Sequence, residues 1–271
     1  MIANARMYAI NDVVSAAWRR LFEWIAHQAD VPLDVVAHAA PLPLGDLWLR
    51  ADLGCALMCG FPWVTWPRSI ERPAALVVPV PSPPAFGGQP FYWTDIVVRA
   101  DSGVQSVADL QGVRFAFTVE NSQSGYQAPR HFFAERAPGN GGPVFAATVG
   151  PLHTPRRIVD AVMAKQADAG PLDAWWHALL RRHEPALAAQ LRTVATTPPA
   201  PIPLVVCGAG VDHAVRERLT AAFERVEGIA ELADVRDSLL LARFVRPKTT
   251  DYESLVERAR AADAVGYHRL Q

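Results

Sequence analysis

Two serines and a glycine at the start of a predicted helix are the residues best placed to bind a ligand. The segment Glu120–Tyr126 follows an apolar strand directly, and a helix is predicted from Tyr126 to Ala137. The first N–H groups of a helix have no partner within the helix and carry partial positive charge. Ser122 and Ser124 add hydroxyl groups, and Gly125 allows another molecule to approach the backbone. The segment therefore predicts either a site for a small polar or anionic ligand or an ordinary N-cap, because Ser and Asn are also preferred caps.

Motifs for nucleophilic, phosphotransfer or metal chemistry are missing from the sequence. His131 and His153 have no Gly-x-Ser-x-Gly nucleophile motif near them, so no catalytic residue is assigned. The segment Ser122–Gly125 lacks the Gly-Lys-Ser/Thr ending of a P-loop, which argues against nucleotide hydrolysis. Cys55 and Cys59 have no second Cys or His pair at a metal-ligand spacing. We interpret them as buried thiols, with a metal site as the remote alternative, and predict no metal or cofactor.

The composition is that of a folded, nearly neutral protein. Hydrophobic residues make up 51% and charged residues 20% of the 271 residues, which is ample for a packed core. There are 26 basic and 27 acidic side chains, so neither nucleic acid nor an anionic membrane is the predicted partner. Met1–Arg6 lacks a long apolar h-region, and no run approaches the length of a membrane span. Either the chain begins after a removed export signal or it is never exported.

Short apolar runs alternate with helical periodicity, which predicts an α/β fold with mixed, mainly parallel sheets and helices on both faces. The predicted elements include strands at Arg6–Ile10, Leu53–Met58 and Arg114–Thr118, and a helix that Asp12 caps and that ends at about Gln28. Two proline-rich breaks, at 81–90 and 196–203, suggest that the chain enters a second lobe and then returns. The predicted first lobe is 1–91 plus 202–271, and the second is 92–201. Ligands of open α/β sheets bind beyond the carboxyl ends of strands, so a ligand cleft is expected between the lobes.

An ordered set of short motifs resembles the phosphate/phosphonate-type binding proteins of ABC transporters. The motifs are Met7-Tyr8, Cys59-Gly60-Phe61-Pro62, Ile96-Val97-Val98-Arg99, Ser106–Gly112, Ser122-x-Ser124-Gly125-Tyr126-x-Ala128-Pro129-Arg130-His131, and Ala167-Asp168-Ala169 leading to Asp173. Each motif alone is weak, but together they span nearly the whole chain in the family's order. The resemblance implies a two-lobed type II periplasmic-binding fold that holds a solute between its lobes and performs no chemistry on it.

The resemblance also implies a ligand-binding set and a biological setting. The implied ligand-binding residues are Tyr8, Phe61, Trp93, Thr94, Asp95, Ser122, Gln123, Ser124, Gly125, Tyr126 and Asp173. Several of these have alternatives: Asp173 as a helix cap, Asp95 as a solvated strand end, Tyr126 as a packing residue, Tyr8 as a buried tyrosine with its own partner, and Trp93 as a core or interface residue. The implied partners are a small-molecule ligand and a membrane permease, with a monomer expected. The implied location is periplasmic, with a cytoplasmic one as the alternative.

Several residues depart from the pattern of the resembled family. Ala9 stands in place of an acidic residue, Leu57 and Met58 in place of a polar pair, and Asp95 and Ile158 in place of serines. Each change removes a hydrogen-bond partner or adds negative charge, and each lost bond to a charged group weakens binding by roughly 1.5–3 kcal/mol. A desolvated oxyanion needs donors on several sides. Altered specificity is therefore expected, with phosphate itself disfavoured and a more apolar, aromatic or partly cationic solute favoured.

Three functions remain open on the sequence. The first is a solute-binding protein of an ABC-type uptake system, which binds a small polar or anionic ligand without chemistry. The second is a cofactor-biosynthesis-type enzyme on the same fold, for which only Asp95, Asp173 and His131 are candidate acids or bases. The third is a ligand-sensing module that acts through a partner protein. We rank them in that order.

Overall fold

The strands and helices of the computed structural model belong to two units that each contain residues distant in sequence. The structure describes residues 1–137, 139 and 141–271. Unit 1 comprises Met1–Phe91 and Pro201–Thr250, and unit 2 comprises Tyr92–Ala200 and Asp251–Gln271. The sequence-based division placed the last of these segments, Asp251–Gln271, in the first lobe.

The strands are β1 (Ile2–Asn4), β2 (Asp34–Val35), β3 (Leu53–Met58), β4 (Ala74–Pro81), β5 (Phe91–Tyr92), β6 (Thr94–Arg99), β7 (Arg114–Ala116), β8 (Ala147–Val149), β9 (Ala169–Asp173), β10 (Leu191–Thr196), β11 (Ala200–Pro201), β12 (Leu204–Cys207) and β13 (Leu241–Val245). The α-helices are α1 (Asp12–Ala29), α2 (Leu44–Trp48), α3 (Gly60–Val64), α4 (Ala128–Ala134), α5 (Pro155–Met163), α6 (Ala174–His183), α7 (Pro185–Ala188), α8 (His213–Glu224), α9 (Ala233–Leu239) and α10 (Glu253–Ala264). A π-helical turn, Gln123–Gln127, precedes α4, and the other helical segments are short 3₁₀ turns.

Unit 1 is built on a six-stranded sheet with the order β13-β4-β12-β3-β1-β2. The strand β3 reads Leu-Gly-Cys-Ala-Leu-Met and is buried along its whole length, as expected for a central strand covered on both faces. The long helix α1 buries Trp18, Leu21, Phe22 and Ile25 at helical spacing. Asn11, rather than the predicted Asp12, caps α1, because its side chain accepts a hydrogen bond from Val14 N.

The first strand differs from its prediction. Arg6–Ile10 was the predicted strand, whereas β1 is formed by Ile2–Asn4, which pairs in parallel with β2 and β3. The amides of Tyr8 and Ala9 both donate to Ala5 O, so the chain turns where the strand was expected to continue. The apolar character of this segment reflects burial of a turn, since Tyr8 is only 1% exposed.

Unit 2 is built on a five-stranded sheet with the order β10-β6-β9-β7-β8. The strands β7, β8 and β9 are parallel to one another, and β6 pairs in the antiparallel sense with both β9 and β10. In unit 1, β12 and β13 are likewise antiparallel to their neighbours. The sheets are therefore mixed, as predicted, and antiparallel pairing is more extensive than the prediction of mainly parallel sheets implied.

Helices cover both faces of the unit 2 sheet, as the contacts of alternate side chains along β6 show. Ile96 and Val98 join a buried cluster with Phe115, Tyr126 and Phe133, on the side of α4. Successive side chains of a strand point to opposite faces, so Asp95 and Val97 point the other way, towards α5 and α6. Asp95 indeed contacts His177 of α6.

A buried arginine explains why the last segment of the chain belongs to unit 2. The Arg130 side chain on α4 is 5% exposed and donates to Asp263 Oδ1 at 2.7 Å, Tyr267 O at 2.9 Å and Ala259 O at 3.0 Å. These acceptors lie on α10 and just after it. The periodicity of the sequence predicts the helix α10 but does not indicate its contact with the distant Arg130. Residues 251–271 were therefore assigned to the first lobe, whereas the structure places them in unit 2.

Candidate functional site

The polar segment after β7 opens a helix through a π-helical turn. The strand β7 ends at Ala116, and the turn Gln123–Gln127 continues into α4, which carries Pro129 in its first turn and ends at Ala134. Gln127 N donates to Ser122 O at 2.9 Å, the i→i+5 bond of a π-helix. Single π-turns of this kind are frequent at functional sites. The helix thus begins earlier than the predicted Tyr126 and ends earlier than Ala137.

Ser122 acts as the N-cap of this helix. Its Oγ accepts a hydrogen bond from Gly125 N at 3.0 Å, which satisfies one of the amides that the first turn leaves without an internal partner. The cap interpretation of the sequence is therefore confirmed for Ser122. Its hydroxyl can still donate its own proton to a ligand acceptor, because a hydroxyl has one donor in addition to its lone pairs.

Two further hydroxyl groups near this cap are not used by the protein itself. Thr118 Oγ1 is buried and makes no hydrogen bond to any described residue, although the Thr118 residue as a whole is 5% exposed. Ser124 is partly exposed, and none of the hydrogen bonds within the described chain uses its Oγ. Its carbonyl accepts from Thr94 Oγ1 at 3.1 Å, which fixes the backbone of this residue. A buried polar group without a partner costs free energy, which applies to Thr118. The Ser124 hydroxyl is partly exposed and can donate to a ligand acceptor.

Gly125 is required by the packing of the protein rather than by a ligand alone. A Cβ atom at this position would lie 1.9 Å from Thr118 Oγ1 and 3.0 Å from Ser122 Oγ. The Gly125 carbonyl also accepts from Thr118 N at 3.3 Å. The absence of a side chain therefore lets the helix start lie directly against the end of β7.

The parallel strands place three helix starts at one edge of the unit 2 sheet. The strands β7, β8 and β9 end at this edge, and the helical segments beginning at Gln123, Pro155 and Ala174 follow them. Thr94 belongs to the same edge, because it begins the antiparallel strand β6 opposite Asp173. Partial positive charge from several helix N-termini collects where parallel strands end, which favours an anionic ligand.

His153 lies at this edge in an unusual backbone conformation. Its φ is +67°, in the left-handed region that glycine prefers, and its amide donates to Thr118 O at 3.0 Å. The next residue, Thr154, caps α5 by accepting from Arg157 N at 3.2 Å. We call Thr94, Thr118, Ser122, Ser124 and His153 the polar edge of unit 2.

Asp95 and Trp93 are engaged with each other and with α6. The Asp95 Oδ1 atom accepts from Trp93 Nε1 at 2.9 Å, and its Oδ2 lies 2.7 Å from His177 Nδ1 and 3.9 Å from an Arg181 nitrogen. The Asp95 and His177 side chains are 6% and 2% exposed. Asp95 points to the opposite face of the sheet from Thr94, so its carboxylate is directed towards α6 and away from the hydrogen bond between Thr94 and Ser124 O.

Asp173 and Tyr126 have structural contacts that match their alternative interpretations. Asp173 Oδ1 accepts from Trp175 N at 2.9 Å and Trp176 N at 3.0 Å, so this residue caps α6. Tyr126 is 6% exposed, and its hydroxyl accepts from Leu270 N at 3.1 Å. Its ring packs edge-on against Phe117 with ring centroids 5.3 Å apart. Any ligand role of these two residues stays a prediction.

The structure brings together some of the predicted site residues but not all. Thr94, Ser122, Gln123, Ser124 and Gly125 meet at the polar edge. Tyr8 is buried in unit 1, and Phe61 lies partly buried on the short helix α3 of the same unit.

Three of the residues that depart from the resembled family are core residues. Leu57 and Met58 are buried in β3, and Ile158 is buried on α5. A Cβ atom at Gly170 would lie 2.5 Å from Ile158 Cγ2, so the isoleucine fills a tight contact between α5 and β9. Their apolar character contributes to packing within each unit.

Thr118 and the backbone of His153 are site features that the sequence analysis did not select. Thr118 appeared there as the last residue of a predicted strand, and its type and position are compatible with a strand end or a ligand contact. The two roles are distinguished by the buried Thr118 hydroxyl, which has no hydrogen-bond partner among the described residues. Burial and hydrogen-bond partners depend on the folded structure and cannot be read from the sequence.

Among the residues that the structure describes, no group of three or more His, Cys, Asp or Glu side chains is arranged to hold a metal ion. None of the helices described is long and apolar enough to cross a membrane.

Comparisons with solved structures support the fold. A binding protein component of an ABC phosphonate transporter from Pseudomonas aeruginosa superimposes with a TM-score of 0.80 at 17% identity, covering 98% of this chain and 87% of that one. PhnD1 from Prochlorococcus marinus, solved with methylphosphonate, gives 0.80 at 16% identity, covering 97% and 98%. The protein XAC2383 from Xanthomonas citri, solved with ATP, gives 0.67 at 17% identity, covering 99% and 98%. The chain therefore has a type II periplasmic-binding-protein fold.

Sequence comparisons give the family directly. No curated protein sequence matches the chain significantly. The family model described as "ABC transporter, phosphonate, periplasmic substrate-binding protein" matches residues 9–252, which is most of the chain. This chain belongs to the periplasmic substrate-binding protein family of ABC-type phosphonate transporters.

Proposed function

We propose that this solute-binding protein binds a small oxyanion of the phosphonate class at the polar edge of unit 2 and releases it unchanged to a membrane permease. The observation that carries the proposal is the pair of hydroxyls at Thr118 and Ser124 that the described protein leaves without partners beside a helix start. Hydroxyl and amide donors on a rigid helix N-terminus are the groups that recognise phosphoryl oxygens.

The position of Asp95 is compatible with an anion at the polar edge. Asp95 is the acidic departure from the family pattern, and it was expected to repel an oxyanion. Its two carboxylate oxygens accept from Trp93 and contact His177 on the other face of the sheet. The carboxylate is hydrogen-bonded within unit 2 and is directed away from Thr94, so we expect it to repel an oxyanion at the polar edge less than the sequence alone indicated.

The methylphosphonate bound in the Prochlorococcus relative provides a first probe for this chain. The contributions of Tyr8 and Phe61, which lie in unit 1, remain part of the proposal. Delivery to a permease and a periplasmic location follow the role of the family and are proposed here for this chain.

A thermal-shift panel tests the proposal. Methylphosphonate, 2-aminoethylphosphonate, phosphate, sulfate, an aromatic carboxylate and an amine would be added to the purified protein in turn. A ligand present at about 100 times its Kd stabilises the folded state by roughly 2.7 kcal/mol, which raises Tm by roughly 5–10 °C in a chain of this size. Methylphosphonate should give such a shift, and the amine should give none.

The same samples separate binding from catalysis. After prolonged incubation, phosphorus NMR should show methylphosphonate unchanged, with one equivalent bound. A phosphorus-containing product would support the enzyme alternative. A shift with the aromatic carboxylate or the amine, and none with any oxyanion of phosphorus, would contradict the proposed ligand class.

A further inference from the structure

Two of the three cysteines lie on adjacent antiparallel strands at the centre of the unit 1 sheet. Cys55 is on β3 and Cys207 is the last residue of β12. These strands pair with the register Leu204↔Met58, Val205↔Leu57 and Val206↔Ala56. The regular pairing ends at Val206↔Ala56, and Gly208 N donates to Leu53 O at 2.9 Å, so Cys207 lies opposite the two residues Gly54 and Cys55. Cys55 and Cys207 each adjoin the Val206↔Ala56 pair, so both side chains point to the face of the sheet that this pair does not occupy.

The backbone spacing at this pair is compatible with a covalent bond. Directly opposite residues in an antiparallel pair have Cα atoms about 4.5 or 5.5 Å apart, and disulfides span about 4.4–6.8 Å. The neighbouring Gly54 is an extra residue relative to β1, because Ile2 pairs with Leu53 whereas Ala3 pairs with Cys55. Such a bulge relaxes the regular spacing of the strand beside Cys55.

The surroundings of the two thiols are apolar and protected. Both cysteines have no exposed surface. Burial raises the pKa of Cys55, with a further contribution from nearby Cys207, and burial also raises the pKa of Cys207 to about 11. Native thiols in this environment react slowly, because the thiolate is the reactive species. A cross-link between them would therefore form while the chain folds and would resist reduction afterwards.

We propose that Cys55 and Cys207 form a structural disulfide when the chain folds in the presence of a disulfide oxidant. One cysteine thiolate attacks a sulfur of the oxidant, such as glutathione disulfide, and expels one glutathione thiolate. The second cysteine thiolate then attacks the mixed disulfide and expels the other glutathione. The two protein thiols lose two electrons and two protons in total, and one glutathione disulfide is reduced to two glutathione thiols.

Cys59 is excluded from this bond by its position. It follows β3 as the N-cap residue of α3, and the residue opposite it in the β3–β12 register is Pro203. It is therefore expected to stay a thiol and to provide an internal reference for counting reactive groups.

The experiment counts thiols after refolding of the full chain. The protein is unfolded in denaturant with a reductant and then refolded either with glutathione disulfide or with reductant. Each product is alkylated in denaturant, and its intact mass is measured. All three cysteines should be alkylated after reductive refolding, and Cys59 alone after oxidative refolding. The cross-linked form should unfold at a Tm roughly 5–10 °C higher.

Two variants control the count. Cys59→Ser should carry two alkyl groups after reductive refolding and none after oxidative refolding. Cys207→Ser should carry two under both conditions. Three alkyl groups on oxidatively refolded wild-type protein, or a disulfide that includes Cys59 in peptide mapping, would overturn the proposal. The wild-type count decides the matter even if a variant folds poorly.

Discussion

Ser122 and Ser124 differ in how their hydroxyls are used, and this difference decides how each can be tested. Ser122 Oγ accepts from Gly125 N, so its replacement by alanine removes a helix cap as well as a ligand contact. Loss of a serine cap costs about 1 kcal/mol of stability. Ser124 Oγ has no partner in the described chain, so Ser124→Ala removes a hydroxyl without disturbing a protein contact. The double variant is therefore expected to be less stable than the single Ser124 variant even without ligand.

At the scale of single residues, the first prediction concerns Gly125. Gly125→Ala would bring a Cβ atom to 1.9 Å from Thr118 Oγ1 and should lower the free energy of unfolding by about 1–3 kcal/mol. Chemical denaturation measures this change. Gly45→Ala on α2 is the matched control, because a Cβ there meets no heavy atom within 4 Å, and it should be neutral or stabilising. Equal stability of the Gly125 variant and wild type would contradict the described packing.

His131 provides a prediction of pH dependence. Burial and the nearby Arg258 guanidinium lower the pKa of His131 on α4 below its ordinary value of about 6.5. Arg130 acts in the same direction, and Glu135 opposes it. The unfolded chain therefore binds this proton at higher pH than the folded chain does. The resulting stabilisation is complete above the unfolded pKa and is lost as pH falls below it towards the folded pKa.

The corresponding experiment compares the urea midpoint of wild type with that of His131→Gln. From about pH 7.5 to about pH 5.5, the wild-type midpoint should fall further than that of the variant, since the variant lacks the titrating group. If the two proteins lost stability in parallel over this range, the lowered pKa of His131 would be wrong.

At the scale of elements, α10 is attached to unit 2 through the buried side chain of Arg130. Arg130→Met should remove its bonds to Asp263, Tyr267 O and Ala259 O. Loss of a hydrogen bond to a charged group costs roughly 1.5–3 kcal/mol, so the free energy of unfolding should fall by at least this amount. Hydrogen exchange should accelerate in residues 253–264. The control is Arg136→Met, which removes a more exposed arginine beside Glu135 and should leave the exchange of residues 253–264 unchanged. Unchanged exchange in both variants would show that Arg130 does not attach α10 to unit 2.

Local patterns predicted many elements well and the connections between distant ones poorly. The limits of β3 matched the prediction, and α1 was one residue longer, because uninterrupted apolar or amphipathic character is a strong local signal. The strand β10 and the helix α9 were missed, since Leu191–Thr196 alternates only weakly in burial and α9 buries just two residues. The position of α10 depends on Arg130, which no local pattern reports.

The candidate site shows the same limit. The residue types at Ser122–Gly125 indicated a helix start with polar groups, and the structure contains one. The partners of Asp95 were not predictable, because His177 is 82 residues away in sequence and on another element. The cap role of Ser122 and the unpartnered state of Thr118 likewise depend on exact distances.

At the scale of the molecule, each unit is organised around its own mixed sheet, and the polar edge belongs to unit 2. The family match and the fold make the chain a solute-binding protein, and the hydroxyls of the polar edge identify where we expect an oxyanion.

Isothermal titration calorimetry with methylphosphonate tests the central claim most directly, on wild type, Ser124→Ala and the exposed-serine control Ser69→Ala. Wild type and the control should bind one equivalent with equal affinity. Ser124→Ala should bind roughly 10–100-fold more weakly, because a hydrogen bond to a charged ligand contributes roughly 1.5–3 kcal/mol. Equal affinity in all three proteins, or no binding to wild type, would contradict an oxyanion site at the polar edge of unit 2.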